Sequence, residues 1–202
     1  MFGDPVTNPM GWEVTNLGSL SLTSNNGMAR RGNDAYGNIV LRLVELQSGK
    51  IDYSNPNRIA LNEKEQEKYL LHDKDFLFAR VNGNPENVGR CAVFRKVSEP
   101  VFHNDHIIRY HFDEERVDGI YLSVLLNSQY GKSQFKPQLK TSAGQYTVSQ
   151  AGIDVIDIPL PPLDLQNQFA DFVALTDKSK YAVRQSIAKL PTLKEKPMQN
   201  YF

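Results

Sequence analysis

The spacing of apolar residues along the chain changes at Pro161. Before it, apolar positions fall in short runs rich in β-branched and aromatic residues, which predict strands at 39–46, 76–81, 88–97 and 107–112. From Leu163 onward, no Gly or Pro occurs until residue 191, and apolar residues recur three or four positions apart or at sums of these. This spacing predicts one amphipathic helix. Its apolar stripe comprises Leu165, Phe169, Phe172, Leu175, Val183, Ile187 and Leu190.

Shorter elements complete the first 160 residues. Helices are expected at about 63–71 and 117–130, the second ending at Gly131, a residue suited to a left-handed cap. Segments 1–12 and 23–38 are rich in Gly, Asn and Asp and predict loops. The fold class is therefore α+β, with a mixed α/β domain over 1–160 followed by a long amphipathic helix and tail over 161–202.

The C-terminal helix is longer than a domain of this size needs for its own core. About 28 residues at ~1.5 Å each extend roughly 40 Å. We therefore expect part of the stripe to pair with a second copy or another recognition unit; the alternative is that all of it packs on its own domain. Pro191 and Pro197 predict that the helix kinks or stops near Leu190.

Composition narrows the possible functions. The chain has 202 residues with 40% hydrophobic content, and its 23 basic residues offset 23 acidic ones, so nucleic-acid binding requires a local patch. A single cysteine, Cys91, excludes an internal disulfide and favours a reducing compartment. No apolar run is long enough for a bilayer span, and the start lacks the features of a signal peptide. We expect a cytoplasmic protein without membrane contact.

One candidate for reading DNA bases is the hairpin predicted at 76–94. A polar loop at 82–87 lies between its strands, beside Arg80 and Arg90, and includes Asn82 and Asn84. Asn can bond adenine edges and Arg guanine edges in the major groove. The alternative is an ordinary solvated hairpin, since Asn, Gly and Pro also favour turns.

Two further segments offer donors for DNA. Side chains of the kind that hold phosphate oxygens cluster at 136–146, namely Lys136, Lys140, Thr141 and Gln145. Arg30 and Arg31, in a Gly- and Asn-rich segment, form a third candidate. The alternative for both segments is an exposed polar loop without a ligand.

No catalytic constellation is evident. His103, His106 and His111 lie near Asp105, but in an extended segment His106 would face away from the other two, so a metal site would need a turn. Cys91 falls in a predicted strand without a base partner, which favours a buried thiol. We expect no cofactor, no metal and no catalysis by this chain. A small metal-dependent hydrolase using the histidines is the enzymatic alternative.

The junction at 158–163, Ile-Pro-Leu-Pro-Pro-Leu, is followed by Gln166, Phe169, Val173 and an Asp-Lys-Ser-Lys segment at 177–180. Together these resemble the entry to the helical spacer in specificity subunits of type I restriction-modification systems. Individually weaker matches extend upstream through Gly11-Trp12, Leu17-Gly18, Gly49-Lys50-Ile51, Asp75 to Arg80 with Gly83 and Gly89, and Thr141 to Tyr146.

This resemblance implies a function in DNA recognition. In the family, a mixed α/β target recognition domain reads one half of a split double-stranded DNA site, and the long helix packs against its counterpart from a second unit. Methyltransferase and restriction/translocase subunits supply the chemistry. Members usually hold two recognition domains and this chain holds one, so a half-length subunit or a fragment is expected. If Phe202 at its end is overlaid on Phe2 at its start, the sequence Tyr-Phe-Gly-Asp-Pro results, which resembles a junction between tandem units. A protein-binding assembly module without DNA is the other alternative.

Overall fold

A computed structural model describes the backbone of residues 1–198 and the side chains of residues 1–187. Fourteen strands are present in the described part: β1 Glu13–Asn16, β2 Ser21–Asn26, β3 Asn38–Leu41, β4 Leu46–Gln47, β5 Lys50–Ile51, β6 Arg58–Ile59, β7 Phe76–Ala79, β8 Val81–Asn82, β9 Cys91–Val93, β10 Val101–His103, β11 Ile107–Phe112, β12 Lys140–Ser142, β13 Gln145–Thr147 and β14 Asp157–Leu160. Six α-helices accompany them: α1 Leu17–Leu20, α2 Glu63–Tyr69, α3 Gly119–Asn127, α4 Gln129–Phe135, α5 Gln150–Asp154 and α6 Leu163–Met198.

A four-stranded sheet of order β2-β11-β7-β9 forms the centre of the domain. Its pairings are antiparallel, with Ile108 opposite Phe78 and Phe78 opposite Cys91. Side chains on the two faces enter two different core clusters: Phe76 and Phe78 join one, and Leu77 joins the other. Because both faces are covered, the strand at 76–79 is apolar at every position rather than alternating.

Most predicted elements of the domain are confirmed, but the predicted bounds of several loops and strands need correction. Helix α2 and strand β11 lie where the pattern placed them. The predicted loop at 23–38 instead begins inside edge strand β2, whose polar residues pair with β11. The expected strand at 39–46 ends at Leu41, and the strand within 88–97 covers only Cys91–Val93. In each case the boundary depends on long-range pairing, which a local pattern does not record.

The predicted helix at 117–130 is two helices, α3 and α4, and Gly131 does not cap the first. Ser128 separates them with an extended backbone, φ −76° and ψ 174°. Gly131 lies inside α4, where an added Cβ would come within 2.0 Å of the Leu126 carbonyl oxygen. The sequence needs glycine there because two segments of backbone pass too close for any side chain.

The long helix α6 confirms the predicted fold class of an α+β domain followed by an extended C-terminal helix. It begins at Leu163, as expected, and continues past Pro191 to Met198. Of the two outcomes predicted near Leu190, a kink or a stop, the stop is therefore wrong. A proline lacks one backbone N–H donor of the helix, but the residues in the neighbouring turns keep theirs, which is why a helix can continue past it. Over 36 residues the helix extends ~54 Å.

Gln166 fastens the first turn of α6 to the domain. Its side chain is fully buried; Oε1 accepts a hydrogen bond from the Asp118 backbone N–H at 2.9 Å, and Nε2 donates to the carbonyls of Pro161 and Arg116 at 2.7 and 3.2 Å. Phe169, one turn later, packs against Phe2 with ring centroids 5.2 Å apart. A buried amide with three partners fixes the direction in which the helix leaves the domain.

Among the described residues, no helix combines the length and apolar character needed to cross a membrane.

Candidate nucleic-acid interface

An open groove of about 420 Å³ brings together residues from four separate parts of the chain. We call it the arginine groove. It contains three residues predicted from sequence to contact DNA together with five that were not predicted. The groove is lined by Arg31, Asn82 and Arg90, and by Arg42, Leu43, Val44, Asn104 and His106.

The hairpin of β7 and β9 positions Arg90 at this groove. Its strands pair as predicted, and the backbone N–H groups of Ala79 and Gly89 bond across the closing turn to the carbonyls of Arg90 and Ala79, both at 2.8 Å. Gly89 has φ +80°, a conformation that favours glycine. Nη2 of Arg90 donates to the Leu43 carbonyl at 2.9 Å, and partial burial lowers the pKa of Arg90.

The hairpin loop is held in shape by its own asparagines. Oδ1 of Asn82 accepts from the Asn84 backbone N–H at 2.9 Å. Oδ1 of Asn84 accepts from the Glu86 N–H at 3.0 Å and caps a short 3-10 helix, Pro85–Asn87. These bonds use the two amide oxygens; among the residues whose side chains are described, the amide nitrogens, which are hydrogen-bond donors, have no partner.

On the other wall, Arg31 is held by a carboxylate. Its Nη2 lies 2.7 Å from Oδ1 of Asp105 and 3.2 Å from Nε2 of His106. Arg80 approaches the same point, since its Nη1 donates to the Asp105 carbonyl at 3.2 Å. The side chain of Arg31 remains 53% exposed, so it is accessible to a ligand in the groove.

Arg42 and its partner Glu45 are residues that sequence reasoning missed. Arg42 lies just beyond β3, in a run read as strand because of its apolar neighbours. Glu45 is only 3% exposed, and Nη2 of Arg42 lies 2.5 Å from its Oε1. This hydrogen bond raises the pKa of Arg42. The available signal was Glu45 itself, a charged residue next to apolar positions of the core.

The second predicted DNA segment adjoins the groove through a shared sheet. Strands β12 and β13 form a hairpin, and β13 pairs with β8 so that Tyr146 lies opposite Asn82. Positive φ angles at Ala143 and Gly144, 48° and 77°, close its turn. Four residues predicted in this region as DNA contacts, Lys136, Lys140, Thr141 and Gln145, are all exposed.

Arg30 has a different environment from Arg31. Nε and Nη2 of Arg30 form a two-point contact with the carboxylate of Glu65, at 2.9 and 2.6 Å. This contact lowers the pKa of Glu65, whose carboxylate also completes the capping box of α2 with Asn62. The structure therefore gives Arg30 a role in holding α2 to the loop at residue 30, and Arg30 does not line the groove.

The three histidines have three different environments. His103 is fully buried, and this burial lowers its pKa to about 4. Nδ1 of His111 lies 3.0 Å from a carboxylate oxygen of buried Asp75, whereas His106 lines the arginine groove. No group of three His, Cys, Asp or Glu within the described residues is arranged to hold a metal.

Cys91 is fully buried in β9, as predicted, and burial raises the pKa of its thiol well above the ordinary range. Its Sγ lies 3.4 Å from Nδ2 of Asn127. The thiol is therefore protonated at neutral pH and shielded from reagents.

The predicted stripe of α6 divides into two parts. Leu165 and Phe169 are half-buried near the domain, whereas four residues farther along are more than half exposed. At 100° per residue these four fall on one side of the helix, and Tyr181 falls on the opposite side. We call them the helix stripe: Phe172, Leu175, Val183 and Ile187, exposed by 62, 63, 57 and 59%. Leu190, the last residue of the predicted stripe, lies beyond the residues whose side chains are described, and the Tyr201-Phe202 tail lies outside the described residues altogether.

Comparison with known proteins identifies relatives over nearly the whole chain. The family model described as "Type I restriction modification DNA specificity domain" matches residues 9–191. The chain is 30% identical over 201 residues to the type I restriction enzyme StySPI specificity subunit of Salmonella potsdam, covering 96% of this chain and 43% of that protein. It is 26% identical to the putative MjaX specificity subunit of Methanocaldococcus jannaschii, covering 96% of this chain and 46% of that protein.

Solved structures share the fold. A chain from a study of assembly and conformational transition of the type I R-M system matches with a TM-score of 0.61 at 13% identity, covering 90% of this chain and 42% of that one. The HsdS subunit of Thermoanaerobacter tengcongensis matches with a TM-score of 0.54 at 15% identity, covering 88% and 40% of the two chains. The chain thus spans less than half the length of each of these four proteins. The family model, the curated relatives and the shared fold agree with the resemblance at the Pro161 junction, and the chain belongs to the family of type I restriction-modification DNA specificity domains.

Proposed function

We propose that this chain recognises DNA sequence for a type I restriction-modification complex in the cytoplasm. Residues 1–160 act as the target recognition domain for one half of a split site, and residues 161–202 comprise the spacer helix and a tail. The observation that carries this proposal is the arginine groove, where Arg31, Arg42 and Arg90 converge beside Asn82 from distant parts of a chain with no net charge. Although Arg31 and Arg42 are each paired with a carboxylate, the three guanidinium groups concentrate hydrogen-bond donors at one place on a chain without net charge.

The composition of the groove suits base edges. Arg pairs with the O6 and N7 acceptors of guanine, and Asn pairs with adenine N6 and N7. The exposed hairpin of β12 and β13 then provides phosphate contacts next to the groove through Lys140 and Thr141, as the shared sheet with β8 brings it alongside. Such contacts set register and orientation, whereas the groove selects the sequence.

The chemistry belongs to partner subunits in this proposal. The groove contains cations and amides but no paired nucleophile and base, which is the composition of a binding surface rather than a catalytic one. Methyltransferase and restriction/translocase subunits are the proposed partners. The helix stripe is the proposed surface for a homodimer or for a second recognition unit, which would place two half-site readers at a fixed separation.

The test is to map the sequence methylated by the complex assembled with variants of this chain. Arg90→Ala is expected to change the methylated sequence or relax one position, because it removes a groove residue. Lys140→Ala is expected to lower methylation of every site without changing the sequence. The matched control is Arg95→Ala, which removes an exposed cation that lines a different cavity.

If Arg90→Ala leaves both the rate and the sequence unchanged in a folded complex, Arg90 does not take part in reading. If the partner subunits methylate the same sequences with and without the wild-type chain, the proposal itself fails. The exposed helix stripe then favours the second function, a module that only joins protein subunits. A purified chain that associates with itself but adds no sequence preference would be the signature of that module.

A further inference from the structure

The turn between β3 and β4 holds one arginine of the groove in a fixed orientation. Glu45 closes this turn: its Oε2 accepts a hydrogen bond from the Arg42 backbone N–H at 2.7 Å, and both carboxylate oxygens contact the Arg42 guanidinium. The carboxylate is 3% exposed while the Arg42 side chain is 41% exposed. A buried anion therefore holds an accessible cation, which differs from a surface ion pair in which both partners move freely.

The contacts determine which edge of the guanidinium is available. Glu45 occupies the side formed by Nε and Nη2, at 3.2 and 2.5 Å from Oε1. Within the residues whose side chains are described, Nη1 makes no hydrogen bond, so the end of the fork formed by Nη1 and the second Nη2 hydrogen is free. Arg90 supports the next residue of the turn by donating to the Leu43 carbonyl.

We propose that Arg42 reads a guanine in the DNA half-site and that Glu45 is its positioning residue. The inference rests on the proposed function and deepens it. Two parallel N–H donors at the end of a guanidinium match the O6 and N7 acceptors that guanine presents in the major groove. Glu45 fixes the plane of the fork before DNA arrives, so less side-chain freedom is lost on binding.

A contact from Arg42 to a phosphate is the competing possibility, and the two make different demands on the side chain. A phosphate needs a positive charge within reach, which lysine also supplies. A guanine edge needs two donors in one plane, which lysine does not reproduce. Arg42→Lys therefore separates the two, because it keeps the charge and removes the fork.

The experiment assembles the full methyltransferase complex and methylates a pool of duplexes with randomised half-sites, followed by sequencing of the methylated products. Arg42→Lys is expected to lose discrimination at one guanine of the half-site by roughly 5- to 150-fold, with the other positions retained. Glu45→Gln is expected to relax the same position, because the amide has no negative charge and only one acceptor oxygen, so it cannot hold both the guanidinium and the Arg42 backbone N–H as the carboxylate does. A purely structural role for Glu45 would lower yield or melting temperature without selecting one base.

The matched control is Arg58→Lys, since Arg58 also makes a two-point contact with a carboxylate, Glu99, but does not line the groove. It is expected to leave every position of the sequence unchanged. The proposal is overturned if Arg42→Lys methylates the wild-type sequence with undiminished discrimination, or if it weakens all sequences alike. If the wild-type complex itself shows no sequence preference from this chain, the proposed function fails first, which is a distinguishable outcome. Should Glu45→Gln not fold, Arg42→Lys alone decides the question.

Discussion

Self-association through α6 is the prediction whose magnitude follows most directly from the structure. The helix stripe leaves Phe172 and Ile187 exposed by 62% and 59% on a helix that extends far beyond the domain. Full burial of such a side chain is worth ~1.5–3 kcal/mol, so covering the exposed part is worth about 1–2 kcal/mol each. Changing both residues to Asp in both protomers removes four such contributions, about 4–8 kcal/mol of association free energy.

At ~1.4 kcal/mol per tenfold change, this loss raises the dissociation constant by about three to six powers of ten. Carboxylates placed in an apolar seam weaken the pair further. Sedimentation equilibrium over a range of protein concentrations measures the effect directly. We expect the wild-type chain to be dimeric at micromolar concentration and the Phe172→Asp, Ile187→Asp double variant to be monomeric.

Tyr181→Asp is the matched control, because Tyr181 is 67% exposed on the opposite side of the same helix. It adds the same charge and is expected to leave the dimer intact. Circular dichroism verifies that all variants keep the helix. A wild-type chain that stays monomeric at every concentration, or a double variant that dimerises as well as Tyr181→Asp, contradicts the proposed helical interface.

Three further predictions concern the anchor of the helix, a buried histidine and salt. Gln166→Leu is expected to lower the free energy of unfolding by about 1–3 kcal/mol or more, because it leaves the Asp118 N–H and two carbonyls buried without this partner. Urea denaturation measures this effect, and an unchanged midpoint contradicts the anchoring role. Burial lowers the pKa of His103 to about 4. Between about pH 6.5 and pH 4, the unfolded chain therefore binds a proton at this residue that the folded chain does not. The free energy of unfolding is expected to fall by up to about 3 kcal/mol as the pH falls through that window. Thermal unfolding of His103→Gln should lack this part of the pH dependence, and an identical pH profile refutes the assignment. DNA binding by the isolated chain is expected to be weak, because its net charge is zero, and to fall steeply between low and moderate salt in fluorescence titrations, because part of the proposed contact is to phosphates. Tight, salt-insensitive binding argues against this prediction.

Local pattern was enough to predict the long helix and the central hairpin. The helix that begins at Leu163 follows from apolar spacing, and the strands within 76–81 and 107–112 follow from runs of β-branched and aromatic residues. Strand β2 could not be predicted in this way. Its sequence, Ser-Leu-Thr-Ser-Asn-Asn, favours a turn, and only its pairing with β11 makes it a strand.

The candidate site was predicted in pieces. Asn82 and Arg90 were selected because they flank one turn, but nothing local indicates that Arg31 and Arg42 approach the same point from distant segments. Arg30 is adjacent to Arg31 in the sequence but does not line the groove, because it contacts Glu65 on a helix that begins more than thirty residues later. Which arginine is accessible is decided by tertiary placement of carboxylates, and one sequence does not reveal it.

We propose above all that this chain selects the DNA sequence on which its complex acts. The most direct test is to map methylated bases across the genome of cells that express the partner subunits, with and without this chain. We expect one split sequence motif that is methylated only when the chain is present, and whose recognised bases change when the groove residue Arg90 is replaced by alanine. Identical methylation maps with and without the chain would contradict it.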